Sequence, residues 1–308
     1  MKPVITITFN PAIDKSTSVT TLVPDRKLRC SPPVFEPGGG GVNVARAIVK
    51  LGGQATAAFF GGGYTGHFFN ELLAAEQVTA IMIPIAQHTR ENLIVTDEAT
   101  QQQFRFNMPG PYISEKEWLQ GLEILDNAMN DVSFVVASGG LTPGLAENAF
   151  QHIGLLAKRK GIPFIVDTSG KALQLAANSG VYLLKPNLAE LATLAGKEEL
   201  TGEETVVAAR SIIQAGDCRY VVVSLGAGGA ILVTEEEVKH YQAPVVKALS
   251  TVGAGDSMVA GMVLQLARGA DIYTAVKFGV ASGTAATMNS GTALCHLKDA
   301  EELFQSMG

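Results

Sequence analysis

Short apolar runs alternate with helix-periodic stretches along most of this chain, and that alternation restricts the fold more than any other feature. VITITF (4–9), ATAAFF (55–60), FVVAS (134–138), PFIVD (163–167), YLLKP (182–186) and YVVVSLG (220–226) are near-continuous apolar runs of strand length. Runs of this kind suit strands covered on both faces, as in parallel sheets. Between them stand VNVARAIVKLG (42–52), NAFQHIGLLAKRKG (148–161), LAELATLAG (188–196) and TVVAARSIIQAG (205–216). Their apolar residues recur three and four apart, and each ends on a glycine, which is a helix stop. The pattern predicts an α/β fold, a mainly parallel sheet sandwiched by helices. At 308 residues the chain suits one such domain, 1–308, with an appendage.

Two segments break the alternation. Residues 15–35 hold β-branched residues and prolines without a helical period, and NLIVTDEATQQQFRFN (92–107) reads as a hairpin turning at 97–101. They predict a small separate sheet from about 15–35 and 90–107. A sheet of that size lacks a second layer, so its apolar face needs cover. We expect a lid over the site that also pairs with a second subunit.

Composition narrows the partners. Hydrophobic residues make up 47% and charged residues 17%, which suits a packed globular protein. A net charge of -6 gives no electrostatic reason to expect nucleic acid. No segment approaches the roughly 20 apolar residues of a membrane helix, and MKPVITITFNP is not a signal peptide. Cys30, Cys218 and Cys295 are far apart and form no CxxC. Free thiols in a reducing cytoplasm, without a disulfide or zinc site, are the expectation.

Four segments carry candidate chemistry. EPGGGGVNVARA (36–47) opens a helix with four glycines, so the backbone can approach a ligand closely, and places Asn43 in the first turn, where its amide can hold a hydroxyl. GGGYTG (61–66) matches GxGxxG, but the acid expected about 20 residues on is missing from IMIPIAQH (81–88), so a dinucleotide site is rejected. STVGAGDSMVAGMVLQLARG (250–269) opens a helix whose first turn carries Asp256. The free N–H groups and dipole there suit a developing anionic phosphoryl group, and Asp256 beside it is either a helix cap or a general base. KPNLAEL (185–191) sets Asn187 and Glu190 three apart, as a capping box or as oxygen ligands for a hard cation. GAGG (226–229) fits either a nucleotide at the sheet edge or a hairpin turn. GxxxxGK[ST] is absent, which excludes a P-loop mechanism.

Together PGGGGVNVAR and TVGAGDSMVAG resemble the two signatures of the ribokinase (pfkB) family of carbohydrate kinases, in the family's order and over essentially the whole chain. The resemblance implies a ribokinase-like fold and a cytoplasmic, ATP-dependent kinase using Mg2+. TFNPAIDKS (8–16) resembles the phosphohexose branch, in which the aspartate, here Asp14, binds sugar hydroxyls. Lys27, Arg29 and Arg90 supply charge for a substrate phosphate, arginine through paired N–H bonds and lysine as a point charge. Within the branch, kinases for fructose 1-phosphate and tagatose 6-phosphate usually carry lysine at the position of Gly40. The four-glycine form therefore implies phosphorylation of fructose 6-phosphate at the C1 hydroxyl to fructose 1,6-bisphosphate, a step of glycolysis. The other phosphohexose kinases are the alternatives.

The resemblance also implies roles. Asp256 would be the base, and Gly253, Ala254 and Gly255 the anion hole. Asn187 and Glu190 would serve the Mg2+ shell, directly or through water. Lys185, Asn187, Ser224, Gly226 and Gly228 would contact the nucleotide; Asp14, Gly39, Asn43 and Arg90 would contact the sugar phosphate. Ser250, Val252, Ala286, Asn289 and Gly291 would line a monovalent cation site, for K+, and the lid would make a homodimer. In SGGLTPG (138–144), Gly140 replaces a family serine near the sugar. A non-catalytic sugar-phosphate sensor of the same fold would be expected to lose the base or the anion-hole glycines, and neither is lost.

Overall fold

The structure is a computed structural model that describes residues 2–177, 179–216, 218–289 and 291–308. In chain order its elements are β1 (Val4–Thr8), β2 (Ala12–Val19), β3 (Val34–Gly38), α1 (Gly40–Lys50), β4 (Ala55–Gly61), α2 (Gly63–Ala75), β5 (Thr79–Pro84), β6 (Arg90–Asp97), β7 (Gln102–Phe106) and α3 (Glu115–Ala128). There follow β8 (Phe134–Ser138), α4 (Ala149–Arg159), β9 (Phe164–Asp167), α5 (Gly170–Ala177), β10 (Val181–Leu184), α6 (Leu188–Leu194), α7 (Gly202–Gln214), β11 (Cys218–Ser224), β12 (Ala230–Val233), β13 (Val238–Tyr241), α8 (Ala254–Ala267), α9 (Ile272–Thr287) and α10 (Leu297–Ser306).

The main sheet runs β13-β12-β11-β10-β9-β8-β1-β4-β5. It is parallel from β5 to β11, and only β12 and β13 run antiparallel, at one edge. The parallel strands are the apolar runs, because each side chain of β1 and β8 is buried on one face or the other. Val4 and Val136 face a core closed by α1, α2, α8, α9 and α10, while Ile5, Ile7 and Val135 face a second core under α3 to α7. Burying a Val or Ile side chain fully contributes about 1.5–3 kcal/mol, which favours apolar residues on both covered faces; in β1 the threonines Thr6 and Thr8 are buried with them. The α/β expectation holds, with two additions. β5 lies at one edge, and GAGG forms a 3-10 turn that joins β11 to antiparallel β12. GGGYTG is the entry to α2.

The second sheet runs β3-β2-β6-β7, with β2 and β6 parallel and the outer pairs antiparallel. The register sets Asp14 beside Glu36 and Asn92, Ser16 beside Val34 and Ile94, and Ser18 beside Thr96, all on one face. That face and Gly291–Thr292 line a cavity of about 440 Å³. The other face packs on α2, where Phe35 meets Phe68 edge to face at 5.4 Å. Residues 20–33 link β2 to β3 without regular structure. Among the described residues no helix is long and apolar enough to cross a membrane, and no disulfide joins Cys30, Cys218 and Cys295.

Candidate active site

Parallel strands release their following loops at one end of the sheet, and in open α/β sheets that end is where sites assemble. Asp167 closes β9, Lys185 follows β10 and Ser224 closes β11. Opposite them stand the starts of α1 and α8.

Gly253 caps α8 in the left-handed region, φ 75° and ψ 0°, and a Cβ there would also lie 2.7 Å from Leu294 Cδ2. Only glycine takes that conformation without strain. Ala254 N–H turns to Thr251 O at 3.4 Å, while the Gly255 and Asp256 amides carry no hydrogen bond among the described residues. These are orphan donors of a helix N-terminus, with the positive end of its dipole behind them. Lys185 Nζ lies 3.9 Å from where a Gly255 Cβ would stand, so a full positive charge borders the same space.

Asp256 is half-buried at this helix start. Its Oδ2 accepts from Asn43 Nδ2 at 2.9 Å. Burial, and after it the nearby Asp167 carboxylate, push its pKa up to about 6; Asn43, Lys185 and Arg46 act against the rise. Such a carboxylate is ionised at neutral pH yet more basic than a solvated one.

Lys185 is 5% exposed and pairs with Asp167 at 3.2 Å. Burial by itself would lower its pKa, but Asp167, with Glu190 and Asp256 beyond it, holds it above the ordinary lysine value. Burial, with Asp167 adding, raises Glu190. Three carboxylates thus share one ammonium, an excess of negative charge that a divalent cation would relieve.

Asn187 and Glu190 form a reciprocal capping box on α6: each backbone N–H donates to the other's side chain at 2.8 Å. The box engages Asn187 Oδ1 and Glu190 Oε2 and leaves Glu190 Oε1 unbonded among the described residues. No three His, Cys, Asp or Glu side chains among the described residues stand close enough to hold a metal by themselves. Mg2+ commonly takes one or two carboxylates with phosphates and water, and this donor set fits that mode. Ser224 N–H donates to Pro186 O at 2.9 Å and bridges the strand end to Asn187, with Gly226 and Gly228 in the turn beyond.

On the side of the four-stranded sheet, Asp14 Oδ1 accepts from Asn92 Nδ2 at 2.8 Å, and burial raises its pKa against the pull of Asn92 and Arg90. Gly38 makes room for it, since a Cβ at 38 would lie 2.3 Å from Asp14 Oδ2. Gly39 caps α1, and Asn43 follows in its first turn. Arg90, half-buried, donates to Met108 O (3.0 Å) and Asn10 O (3.1 Å), while its Nε has no partner among the described residues. Lys27 and Arg29 are exposed on the 20–33 segment, and no ion pair holds either among the described residues. The structure therefore gathers Asp14, Arg90, Asn43 and Asp256, while Lys27 and Arg29 stand exposed with no ion pair to that group among the described residues.

The segments around Ser250 and Gly291 meet. Ser250 Oγ donates to Gly291 O at 2.8 Å and accepts from Val252 N–H at 3.2 Å. Asn289 is braced by its side-chain donations to Ala285 O and Leu294 O and by its own N–H to Ala286 O. Carbonyl oxygens of two converging loops are the donors that K+ takes.

Sequence reasoning missed Asp167, Asn92 and Arg46. A carboxylate ending the apolar run PFIVD was a usable signal for Asp167, because sites lie at that end of parallel strands.

Residues 3–299 match the model of the pfkB family carbohydrate kinases. ATP-dependent 6-phosphofructokinase isozyme 2 of Escherichia coli (strain K12) is 44% identical over 305 residues, 99% of this chain and 98% of that protein. The crystal structure of phosphofructokinase-2 from Escherichia coli in complex with potassium superposes with a TM-score of 0.95 at 43% identity, covering 100% of this chain and 99% of that one. The structure of the same enzyme in complex with fructose-6-phosphate gives a TM-score of 0.91 at 41% identity, again over 100% and 99%. With its two glycine-rich segments meeting at one site and its length matched nearly end to end, the chain belongs to the pfkB family of carbohydrate kinases.

Proposed function

We propose that this protein is an ATP-dependent 6-phosphofructokinase, which phosphorylates the C1 hydroxyl of fructose 6-phosphate to fructose 1,6-bisphosphate in glycolysis. One observation carries the chemistry: Asp256 stands at the unpaired amides opening α8, with the buried Lys185 ammonium beside them. The choice of sugar rests on the 44% identity to the Escherichia coli isozyme over nearly all of both chains.

In this reading Asp256 takes the C1 hydroxyl proton as the oxygen attacks the γ-phosphorus. The bond from that phosphorus to the β,γ-bridging oxygen breaks, and ADP leaves. Phosphoryl transfer depends mainly on positioning and charge stabilisation. Gly253, Ala254 and Gly255 with Lys185 supply the charge, and Lys185, Asn187, Ser224, Gly226 and Gly228 border the nucleotide. Asp14, Gly39 and Asn43 hold the sugar hydroxyls, Arg90 its phosphate, and Lys27 and Arg29 would reach the same phosphate from the 20–33 segment. Mg2+, held with ATP near Asn187 and Glu190, would neutralise phosphate charge. K+ would bind the carbonyls around Ser250, Val252, Ala286, Asn289 and Gly291. The polar lid face over its open cavity of about 440 Å³ suits pairing with a second copy, and a homodimer in the cytoplasm completes the reading.

Comparing kcat/KM for fructose 6-phosphate, fructose 1-phosphate and tagatose 6-phosphate tests the substrate. A preference for either rival overturns it. Asp256→Asn should lower kcat by about 10²–10⁴-fold or more; near wild-type turnover would remove the base.

A further inference from the structure

A deeply buried guanidinium adjoins this site without a part in the chemistry above. Arg46, 3% exposed, lies one turn beyond Asn43 on α1. Its Nη1 donates to Asn43 Oδ1 at 3.2 Å and to Pro37 O at 2.7 Å. Its other edge grips Glu76, just past α2: Nε reaches both carboxylate oxygens at 3.0 Å, and Nη2 reaches Oε1 at 2.6 Å. Glu36 Oε1 lies 3.7 Å from Nη2, and the other oxygen of Glu36 accepts from the Thr292 hydroxyl.

Glu76 alone would satisfy the charge, but the contact with Asn43 does something else. A carboxamide has one donor end and one acceptor end of nearly equal size, so its partners decide which way it points. Arginine offers only donors, so Asn43 must turn Oδ1 to it and Nδ2 to Asp256. The reverse orientation would set an amide oxygen against the Asp256 carboxylate and two N–H groups against a guanidinium.

We propose that Arg46 is a positioning residue for phosphoryl transfer: anchored by Glu76 and Glu36, it fixes the Asn43 amide so that Nδ2 holds Asp256 Oδ2 and the other carboxylate oxygen is left for the substrate hydroxyl. The proposal rests on Asp256 being the base. Asp256 is also faced by Asp167 from β9 and Lys185 after β10, and neither changes when Arg46 is replaced. The Asn43 hydrogen bond and the Arg46 charge both favour ionised Asp256. Losing them therefore raises the pKa of the base, and the acid limb of kcat moves to higher pH.

The test is the kcat–pH profile of Arg46→Lys, Glu76→Gln and Asn43→Ala, with thermal unfolding run alongside. Lysine keeps a charge for Glu76 but cannot also serve Pro37 O and Asn43 Oδ1. A charge-assisted hydrogen bond corresponds to roughly one pKa unit, so the acid limb of Arg46→Lys should rise by about that much, with KM for ATP unchanged. Adding Arg46→Lys to Asn43→Ala should move the limb no further, because Arg46 acts through Asn43. Glu76→Gln loosens the anchor without removing the guanidinium; loss of the carboxylate charge by itself favours ionised Asp256, so a limb that still moves to higher pH reports the loosened Asn43 amide, and it decides the matter if Arg46→Lys does not fold. An acid limb that stays in place in the folded variants, or additive effects in the double variant, overturns the proposal. Asp256→Asn separates the two readings: if it retains turnover the base is wrong, and if it abolishes turnover while the Arg46 limb stays put, only the positioning role fails.

Discussion

Asn43 Nδ2 and Asp256 Oδ2, on residues 213 positions apart, stand 2.9 Å from each other. This bond brings the starts of α1 and α8 together, so the two glycine-rich segments are halves of one site. It also commits one Asp256 oxygen and leaves the other to take a proton.

The first expectation concerns pH. With the Asp256 pKa pushed up to about 6 by burial and Asp167, kcat should fall below about pH 6, because the protonated carboxyl cannot accept the C1 proton. A solvated aspartate would keep the enzyme active to lower pH. The kcat–pH profile measured on fructose 6-phosphate decides it; constant kcat well below pH 6 speaks against Asp256 as base.

Arg90 is held by two backbone carbonyls with Nε unengaged, so its guanidinium is preset and still has donors to offer. Arg90→Ala should raise KM for the sugar phosphate about tenfold or more, the equivalent of one charge-assisted contact, with KM for ATP little changed. Equal effects on both would remove Arg90 from the sugar phosphate.

Gly38→Ala places a methyl against Asp14 Oδ2, a side-chain end that can move. The fold should survive while the carboxylate shifts. The expected result is a raised KM for the sugar, a near wild-type unfolding midpoint and an unaltered KM for ATP. An unchanged sugar KM would take Asp14 away from the substrate.

Lys185→Ala strips a buried pair of its cation and leaves Asp167 uncompensated. Breaking such a pair costs about 3–5 kcal/mol, readable in denaturant unfolding, and Asp256 also loses a positive neighbour. A loss below about 1 kcal/mol would instead match a solvated pair.

Ser114 caps α3 reciprocally with Glu117 and has no place in the proposed site. Ser114→Ala should cost about 1 kcal/mol of stability and leave kcat and both KM values as they are. Altered kinetics would tie α3 to catalysis.

Much of the fold is legible because burial on both faces writes itself into composition: β1, β8 and β11 are apolar runs that only a covered parallel sheet explains. β13 is less visible, since a short edge strand with one buried residue needs no such run. Asn43 and Asp256 are visible because glycine-rich backbone marks their surroundings. Arg46 and Asn92 carry no local mark, and Asp167 only its place at the end of an apolar run: each matters through the residue it holds, Arg46 through Asn43, Asp167 through Lys185, Asn92 through Asp14.

From the sequence alone came the layered sheet, the two helix starts able to bind anions and the acidic residue at one of them. Those depend on local pattern, which neighbours along the chain impose. Tertiary structure decided which of them act together. It joined Asn43 to Asp256, enclosed Lys185 among three carboxylates and closed the Asn187–Glu190 capping box, leaving one Glu190 oxygen unbonded among the described residues. It also left Lys27 and Arg29 exposed on the 20–33 segment. Hydrogen bonds and charge pairs act over a few ångströms in space and are indifferent to separation along the chain, so only the folded arrangement could assign them.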